Sequence, residues 1–290
     1  MDLVTSTEKP RIYVRRGTLI ATASKCLSYG DITKEVVHTT GIQTAMGEVV
    51  FVRALSDGYI DLGGPSIGSQ IHNVCNNLLS FGANKVIVDG ALSRKTFASP
   101  SITEATILSS GASLSRNIDI VVKKTCHTVN LLSTKQEEEK DILNLCNGIN
   151  KECKIALIIK NKWVRELDVV TALNSSKLIL DNLSSDVTHV YINGVILDKL
   201  LNDLVRSTSN LKNLKIICED GTKLFIEQDT LNKFYAKGGL IRVLTPINLL
   251  CVTCNPKSPY GYEFNKQEFM DLLNASIELP VFDVIGDKTI

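Results

Sequence analysis

Hydrophobic and polar positions follow two different periods in the first third of the chain, and the switch between them marks its most informative stretch. Up to Leu62, short runs rich in β-branched residues alternate with turn residues. Residues 11–14 and 18–22 flank Arg15-Arg16-Gly17, and residues 47–55 and 59–62 flank Ser56-Asp57-Gly58, where an Asp-Gly pair suits a hairpin. Residues 36–42 add a further strand. Beyond Leu62 the period lengthens: Ile67, Ile71, Val74, Leu78 and Leu79 recur at helical spacing, with Gly82 as a stop. Residues 85–89 then read as a short buried strand, so that strand, glycine turn, helix and strand make a βαβ unit of parallel strands. Ser101 and Glu104 have the spacing of a capping box and predict another helix start.

A helix is predicted from about Asn117 to Leu132, carrying Ile118, Val121, Val122, Val129 and Leu132 on one stripe. The run Gln136-Glu-Glu-Glu-Lys140 reads as an exposed helix or linker. It divides the chain into a β-rich and βαβ domain (1–134), a charged linker (135–150) and a second α/β domain (151–290). In that second part residues 154–159, 187–192, 214–218, 240–244, 249–253 and 281–285 read as strands, and residues 196–205, 230–236 and 266–277 as helices. The expected fold class is α/β: a β-rich N-terminal part running into a βαβ unit, followed by a second, mainly parallel α/β half.

Candidate chemistry concentrates after the period switch. Gly63-Gly64-Pro65-Ser66-Ile67-Gly68-Ser69 precedes a helix whose free N–H groups could hold an anion, with Ser66 and Ser69 as hydroxyl donors. The same loop reads equally as a tight turn with Ser66 capping the helix. It is not a Walker A loop, since no Gly-Lys-Ser/Thr occurs in the chain, and it lacks the dinucleotide-binding glycine spacing. Asp89 ends the predicted strand and is followed by Arg94 and Lys95. Beyond a strand's carboxyl end these could meet the glycine loop and hold Mg²⁺, phosphate or a nucleotide; an Asp in a turn paired with Arg94 is the plainer reading. A second loop, with Asn255, Ser258 and Tyr260 in Asn-Pro-Lys-Ser-Pro-Tyr-Gly, either redirects the chain or completes a ligand site.

Composition narrows the classes. Lys and Arg number 32 against 31 Asp and Glu, a net charge of +1, and no basic block occurs, which argues against nucleic-acid binding. No apolar run approaches the ~20 residues of a membrane span. Several of the eight cysteines, Cys75 and Cys218 among them, sit in apolar helical or strand patterns, as buried reduced cysteines do, and the first residues lack the pattern of a signal peptide, so the expected compartment is the cytoplasm. Cys251 and Cys254 have the spacing of a half zinc site, but no second pair completes it; no metal site is assigned. The four histidines form no metal or catalytic motif by spacing, and no hydrolase elbow is present.

Longer strings carry a resemblance. Gly-Gly-Pro-Ser at 63–66, Val-Ile-Val-Asp-Gly-Ala-Leu-Ser-Arg-Lys at 86–95, Ser-Pro-Ser-Ile-Thr-Glu-Ala-Thr-Ile-Leu from Ser99 and Gly-Ala-Ser-Leu-Ser from Gly111 belong to it. So do Asn-Pro-Lys-Ser-Pro-Tyr-Gly at 255–261 and Pro-Val-Phe-Asp-Val at 280–284. Together they resemble the smaller reactivase subunit associated with lysine 5,6-aminomutase in lysine-fermenting anaerobic bacteria, over most of the chain. The resemblance implies an accessory protein, not an independent catalyst. It would help a mutase that depends on adenosylcobalamin and pyridoxal phosphate (PLP) to exchange damaged cofactor, together with a MutS-like ATPase. It also implies family sequence ahead of the position of Met1, where nucleotide-binding residues could lie. Adenosylcobalamin then belongs to the partner mutase, and no cofactor is assigned to this chain; a homo-oligomer remains open. Two rivals stand beside this reading: a small-molecule or nucleotide-binding enzyme of phosphoryl or acyl transfer, and a ligand-sensing domain.

Overall fold

The computed structural model describes residues 11–90, 95–160, 162–169, 176–207, 211–212 and 214–285. The chain forms two compact units, one of residues 1–97 with 101–103, the other of residues 98–100 with 104–290. The segment predicted as a linker, 135–150, lies inside the second unit.

The first unit is antiparallel. It comprises β1 (Ile12–Val14), β2 (Leu19–Ala23), β3 (Lys34–Thr44), β4 (Gly47–Ala54), β5 (Gly58–Ile60) and α1 (Gly68–Ser80). Strand β4 is central in the order β2-β4-β3, and its residues Val49–Val52 are all buried. Alternate side chains of β4 feed two clusters: Val50, Val52 and Ala54 pack with Val14, Ile20, Ile32 and Ile60, whereas Val49 and Phe51 meet Val74 and Leu78 of α1. A strand buried on both faces reads as an unbroken apolar run, and Val-Val-Phe-Val is one.

Two sequence expectations fail in this unit. The Asp57-Gly58 turn does not join a hairpin, because β5 pairs with β1 (Ile12 opposite Ile60) while β4 pairs with β2 and β3. The tight turn falls instead between β3 and β4, where Thr44 faces Gly47. Residues 85–89 form no strand; Ile87 is 92% exposed. The composition suits a strand, but among the described residues no strand pairs with it.

The second unit is mainly parallel. Its elements run β6 (Thr106–Gly111), α2 (Ile118–Leu132), α3 (Lys140–Gly148), β7 (Ile155–Ile159), β8 (Val164–Leu167) and α4 (Ser176–Asn182). They continue through β9 (Val187–Ile192), β10 (Ile196–Leu197), α5 (Asp198–Ser207), β11 (Lys215–Cys218), β12 (Leu224–Phe225) and α6 (Gln228–Ala236) to β13 (Leu240–Val243), β14 (Leu249–Asn255), α7 (Lys266–Ser276) and β15 (Val281–Asp283). Ser101 and Glu104 cap no helix; the chain enters β6 there instead.

A five-stranded sheet has the order β13-β11-β9-β7-β8, with β9, β11 and β13 parallel and β7 and β8 antiparallel to their neighbours. Helices α5 and α6 are the crossovers of the parallel part, so the βαβ units of this chain lie here. Ile179, Leu201, Leu204 and Phe234 from α4, α5 and α6 cover one face. Ile142 and Cys146 of α3 cover the other, over Ala156, Ile158, Tyr191 and Ile217.

A second sheet, β15-β14-β6, is wholly parallel. On one face Val252, Cys254 and Val281 pack against Val121 and Val129 of α2 and Phe269 and Leu273 of α7. Asn117 caps α2 by accepting a hydrogen bond from the Ile120 N–H, and Asn265 does the same for α7 from Glu268. The opposite face of this sheet carries Ile107 and Phe282, 55% and 54% exposed. Among the described residues no helix is long and apolar enough to cross a membrane.

Candidate functional site: a buried Glu-His-Lys cluster

The glycine loop that stood out in the sequence is strapped to β2. The Thr22 hydroxyl donates to the Asp61 carbonyl and accepts from the Gly63 N–H, and the Ala23 N–H donates to the Gly63 carbonyl at 2.6 Å. Gly63 and Gly68 answer to packing. A Cβ on Gly63 would stand 2.8 Å from Cys26 Sγ, and one on Gly68 would stand 2.8 Å from Ile102 Cδ1. The residue before α1 is Ile67, and no side chain caps the helix; Ser66 and Ser69 are exposed. Ser66 is therefore not the cap that one reading of the loop required.

Asp89 is exposed and lies on no strand end, so the convergence with the glycine loop expected from a βαβ unit loses its geometric basis. Lys95 opens a short 3-10 helix, Lys95–Ala98. Arg94 lies outside the described residues. In the second loop Asn255 accepts a hydrogen bond from the Lys257 N–H, Ser258 from the Tyr260 N–H, and Gly261 takes φ +80°. These residues shape a turn. The neighbouring cleft of about 350 Å³ is lined by Lys257, Lys266 and Asp283, among others, but not by Asn255, Ser258 or Tyr260. Cys251 and Cys254, three apart on β14, point to opposite faces of its sheet, and burial pushes the Cys254 thiol up to about 11.

The least expected chemistry lies in the segment read as a solvated linker. Residues 135–137 run beside β13: the Val243 N–H donates to Lys135 O and the Glu137 N–H donates to Val243 O. This places Glu137 over the sheet face that α3 covers, where its side chain is fully buried. Neighbouring positions of β9 and β11 supply His189 and Lys215, which are register partners.

One carboxylate oxygen of Glu137, Oε1, accepts from Lys215 Nζ at 2.9 Å and from the N–H groups of Glu138 and Glu139. The same ammonium donates to Glu139 Oε1 at 3.0 Å. Glu137 Oε2 lies 3.6 Å from His189 Nε2, and neither of these two buried atoms has a hydrogen-bond partner.

The electrostatics follow from this geometry. Burial pushes the Glu137 carboxyl up, but the hydrogen bonds from Lys215 and the Glu139 N–H outweigh it and hold the group below its ordinary value. Burial first, and the Lys215 charge second, lower the pKa of His189. A carboxyl held below its ordinary value thus faces a buried imidazole whose proton affinity is lowered. Glu137, Glu139 and His189 each bring one ligand atom to within 4.8 Å of the other two, the one such group among the described residues.

Sequence spacing did not find the cluster, because its members come from positions 137–139, 189 and 215. A weaker signal was present: histidine inside Val-Thr-His-Val-Tyr-Ile and lysine at the head of Lys-Ile-Ile-Cys are polar residues in otherwise buried strands. No family model, no curated protein and no solved structure matches the chain.

Proposed function

We propose that this chain is a partner-binding accessory protein of the cytoplasm: the smaller component of a system that reactivates an adenosylcobalamin- and PLP-dependent lysine 5,6-aminomutase, working with a MutS-like ATPase. The strings at 63–66, 86–95, 99–108, 111–115, 255–261 and 280–284 carry the reading. One structural observation supports its partner-binding character. Parallel sheets are ordinarily covered on both faces, yet Ile107 and Phe282 on one face of β15-β14-β6 stay more than half exposed, and Val284, just beyond β15, is 60% exposed. Exposed apolar side chains on such a sheet face are consistent with a macromolecular partner.

A reactivating factor must prefer one state of its client, since a ligand that binds two states equally shifts nothing. It should therefore bind the cofactor-damaged mutase more tightly than the intact holoenzyme. The deciding experiment mixes mutase inactivated by turnover with this protein, the ATPase, ATP and fresh adenosylcobalamin. Recovery of activity is expected only from the complete mixture, and Phe282→Ser should weaken it without unfolding the chain. Equal recovery when this chain is omitted ends the assignment. Steady turnover of a small molecule by the chain alone would point to an independent enzyme instead.

A further inference from the structure

We propose that Glu137, Glu139 and His189 form a binding site for a first-row divalent metal ion, of which Zn²⁺ is the natural probe. The argument begins with Thr188. Its hydroxyl carries one proton and lies 3.2 Å from the Ile158 carbonyl and 2.9 Å from His189 Nδ1. If that proton went to Nδ1, the ring hydrogen would sit on Nε2 with no acceptor inside hydrogen-bond range, Glu137 Oε2 being 3.6 Å away. When instead it goes to the Ile158 carbonyl, the oxygen accepts from Nδ1, which carries the ring hydrogen. The lone pair of the neutral ring is then on Nε2, and Nε2 faces Glu137 Oε2, also an acceptor, at 3.6 Å. Two acceptors that close, both buried and both unpaired, repel one another unless something positive stands between them.

The spacing fits a metal. Two ligand atoms at ordinary zinc–nitrogen and zinc–oxygen distances and a tetrahedral angle lie about 3.4 Å apart. A carboxylate oxygen of Glu139 completes a triangle whose sides are all within 4.8 Å. The surroundings match what such sites need. A metal-binding histidine usually donates its other ring N–H to a fixed acceptor, which sets its orientation, and the Thr188–Ile158 relay does that here. Lys215 pairs with Oε1 of both glutamates and neutralises one of two negative charges. The other remains for the ion. Glu139 is 57% exposed at its side chain, which gives the ion a route from solvent and room for water as a fourth ligand.

The test uses the full chain, stripped of metal and titrated with Zn²⁺ against a chromophoric chelator. Tight uptake of one ion per chain is expected, with a rise in melting temperature from preferential binding to the folded state. His189→Gln and Glu139→Gln should each lower the affinity at least tenfold. Glu139 is a surface residue, so its variant folds whatever happens at the buried positions. The double substitution Cys251→Ser with Cys254→Ser should leave the affinity unchanged, which separates this site from the thiols. The Co²⁺ derivative should show ligand-field bands without thiolate charge transfer. Failure of the folded parent chain to take up Zn²⁺, or affinity undiminished in both ligand variants, would overturn the proposal.

Discussion

The two units of this chain solve the same packing problem with opposite strand directions, and the contrast decides where charge is buried. In the antiparallel unit the ion pair found among the described residues stays at the margin, and buried Thr22 is an uncharged exception held by backbone. Arg53 and Glu35 face one another on paired strands at 3.5 Å, with both side chains at least 40% exposed. In the parallel unit the strands of the large sheet are covered on both faces, so any polar residue on them must find partners inside. Lys215 does so through Glu137 Oε1, while His189 Nε2 and Glu137 Oε2 are left facing one another at 3.6 Å. Asp220, just past β11, is also buried; it accepts from the Ser99 hydroxyl and from the Thr222 N–H and hydroxyl. Covering both faces of a sheet turns polar residues into a specified network, whereas one open margin leaves them optional.

Paired substitutions measure that difference most directly. Glu137→Ala removes the buried side of an ion pair and leaves Lys215 beside His189 with the exposed Glu139 as its remaining partner. It should cost about 3 kcal/mol of unfolding free energy, the lower end of the range for breaking a buried pair, because Lys215 keeps that second partner. Glu35→Ala removes one side of the exposed pair and should cost less than about 1 kcal/mol. Denaturant titration of the two variants checks both values. Equal losses would mean that burial does not distinguish the units.

Glycines offer a second and smaller contrast. A Cβ on Gly221 would meet backbone, Leu131 O at 2.5 Å and Leu132 Cα at 2.9 Å, whereas one on Gly63 would meet a side-chain tip, Cys26 Sγ at 2.8 Å. Backbone cannot move aside as a thiol can. Gly221→Ala should therefore lie at or beyond the upper end of the ~1–3 kcal/mol range for overpacking, and Gly63→Ala near its lower end. Gly64 has nothing within 4 Å of a built Cβ, and Gly64→Ala should be neutral or stabilising by up to about 1 kcal/mol through the unfolded chain. If Gly64→Ala were instead destabilising, and abolished a phosphate-induced rise in melting temperature, the anion-binding reading of the loop would return.

Legibility in the sequence differs between the units for a related reason. In the parallel unit the strands are apolar runs such as Ile-Ala-Leu-Ile-Ile and Lys-Ile-Ile-Cys, and all six strands read from the sequence are present, with boundaries moved by a residue or two. Their burial is visible in the chain itself. In the antiparallel unit the elements up to α1 were legible but their pairing was not, because β1 and β5 meet across the 43 positions between Val14 and Gly58, in the register Val14 opposite Gly58 to Ile12 opposite Ile60. An Asp-Gly turn carries local information only. The charged cluster was hidden for the opposite reason: Gln-Glu-Glu-Glu-Lys has the composition of a solvated face, and only the register of 135–137 beside β13 buries its second residue. Propensity marks what a segment can be; a partner decides what it becomes.

Residues 85–89 make that last statement testable, with the smallest effect expected. Their sequence, Lys-Val-Ile-Val-Asp, is as apolar as Lys-Ile-Ile-Cys of β11, yet Ile87 is 92% exposed and Ile216 wholly buried. If exposure governs, Ile87→Lys should change stability by no more than about 0.5 kcal/mol, as surface substitutions do. Ile216→Lys would bury an unpaired charge and should abolish cooperative unfolding at ambient temperature. Thermal denaturation of the two variants side by side gives the answer. A loss at Ile87→Lys of the size that Ile→Ala costs in a core, about 2–5 kcal/mol, would show that residues 85–89 are packed in solution and that the strand read from the sequence forms. Retained stability, with amide protons at 85–89 exchanging freely, would leave the segment an extended, unpaired stretch whose apolar side chain faces water.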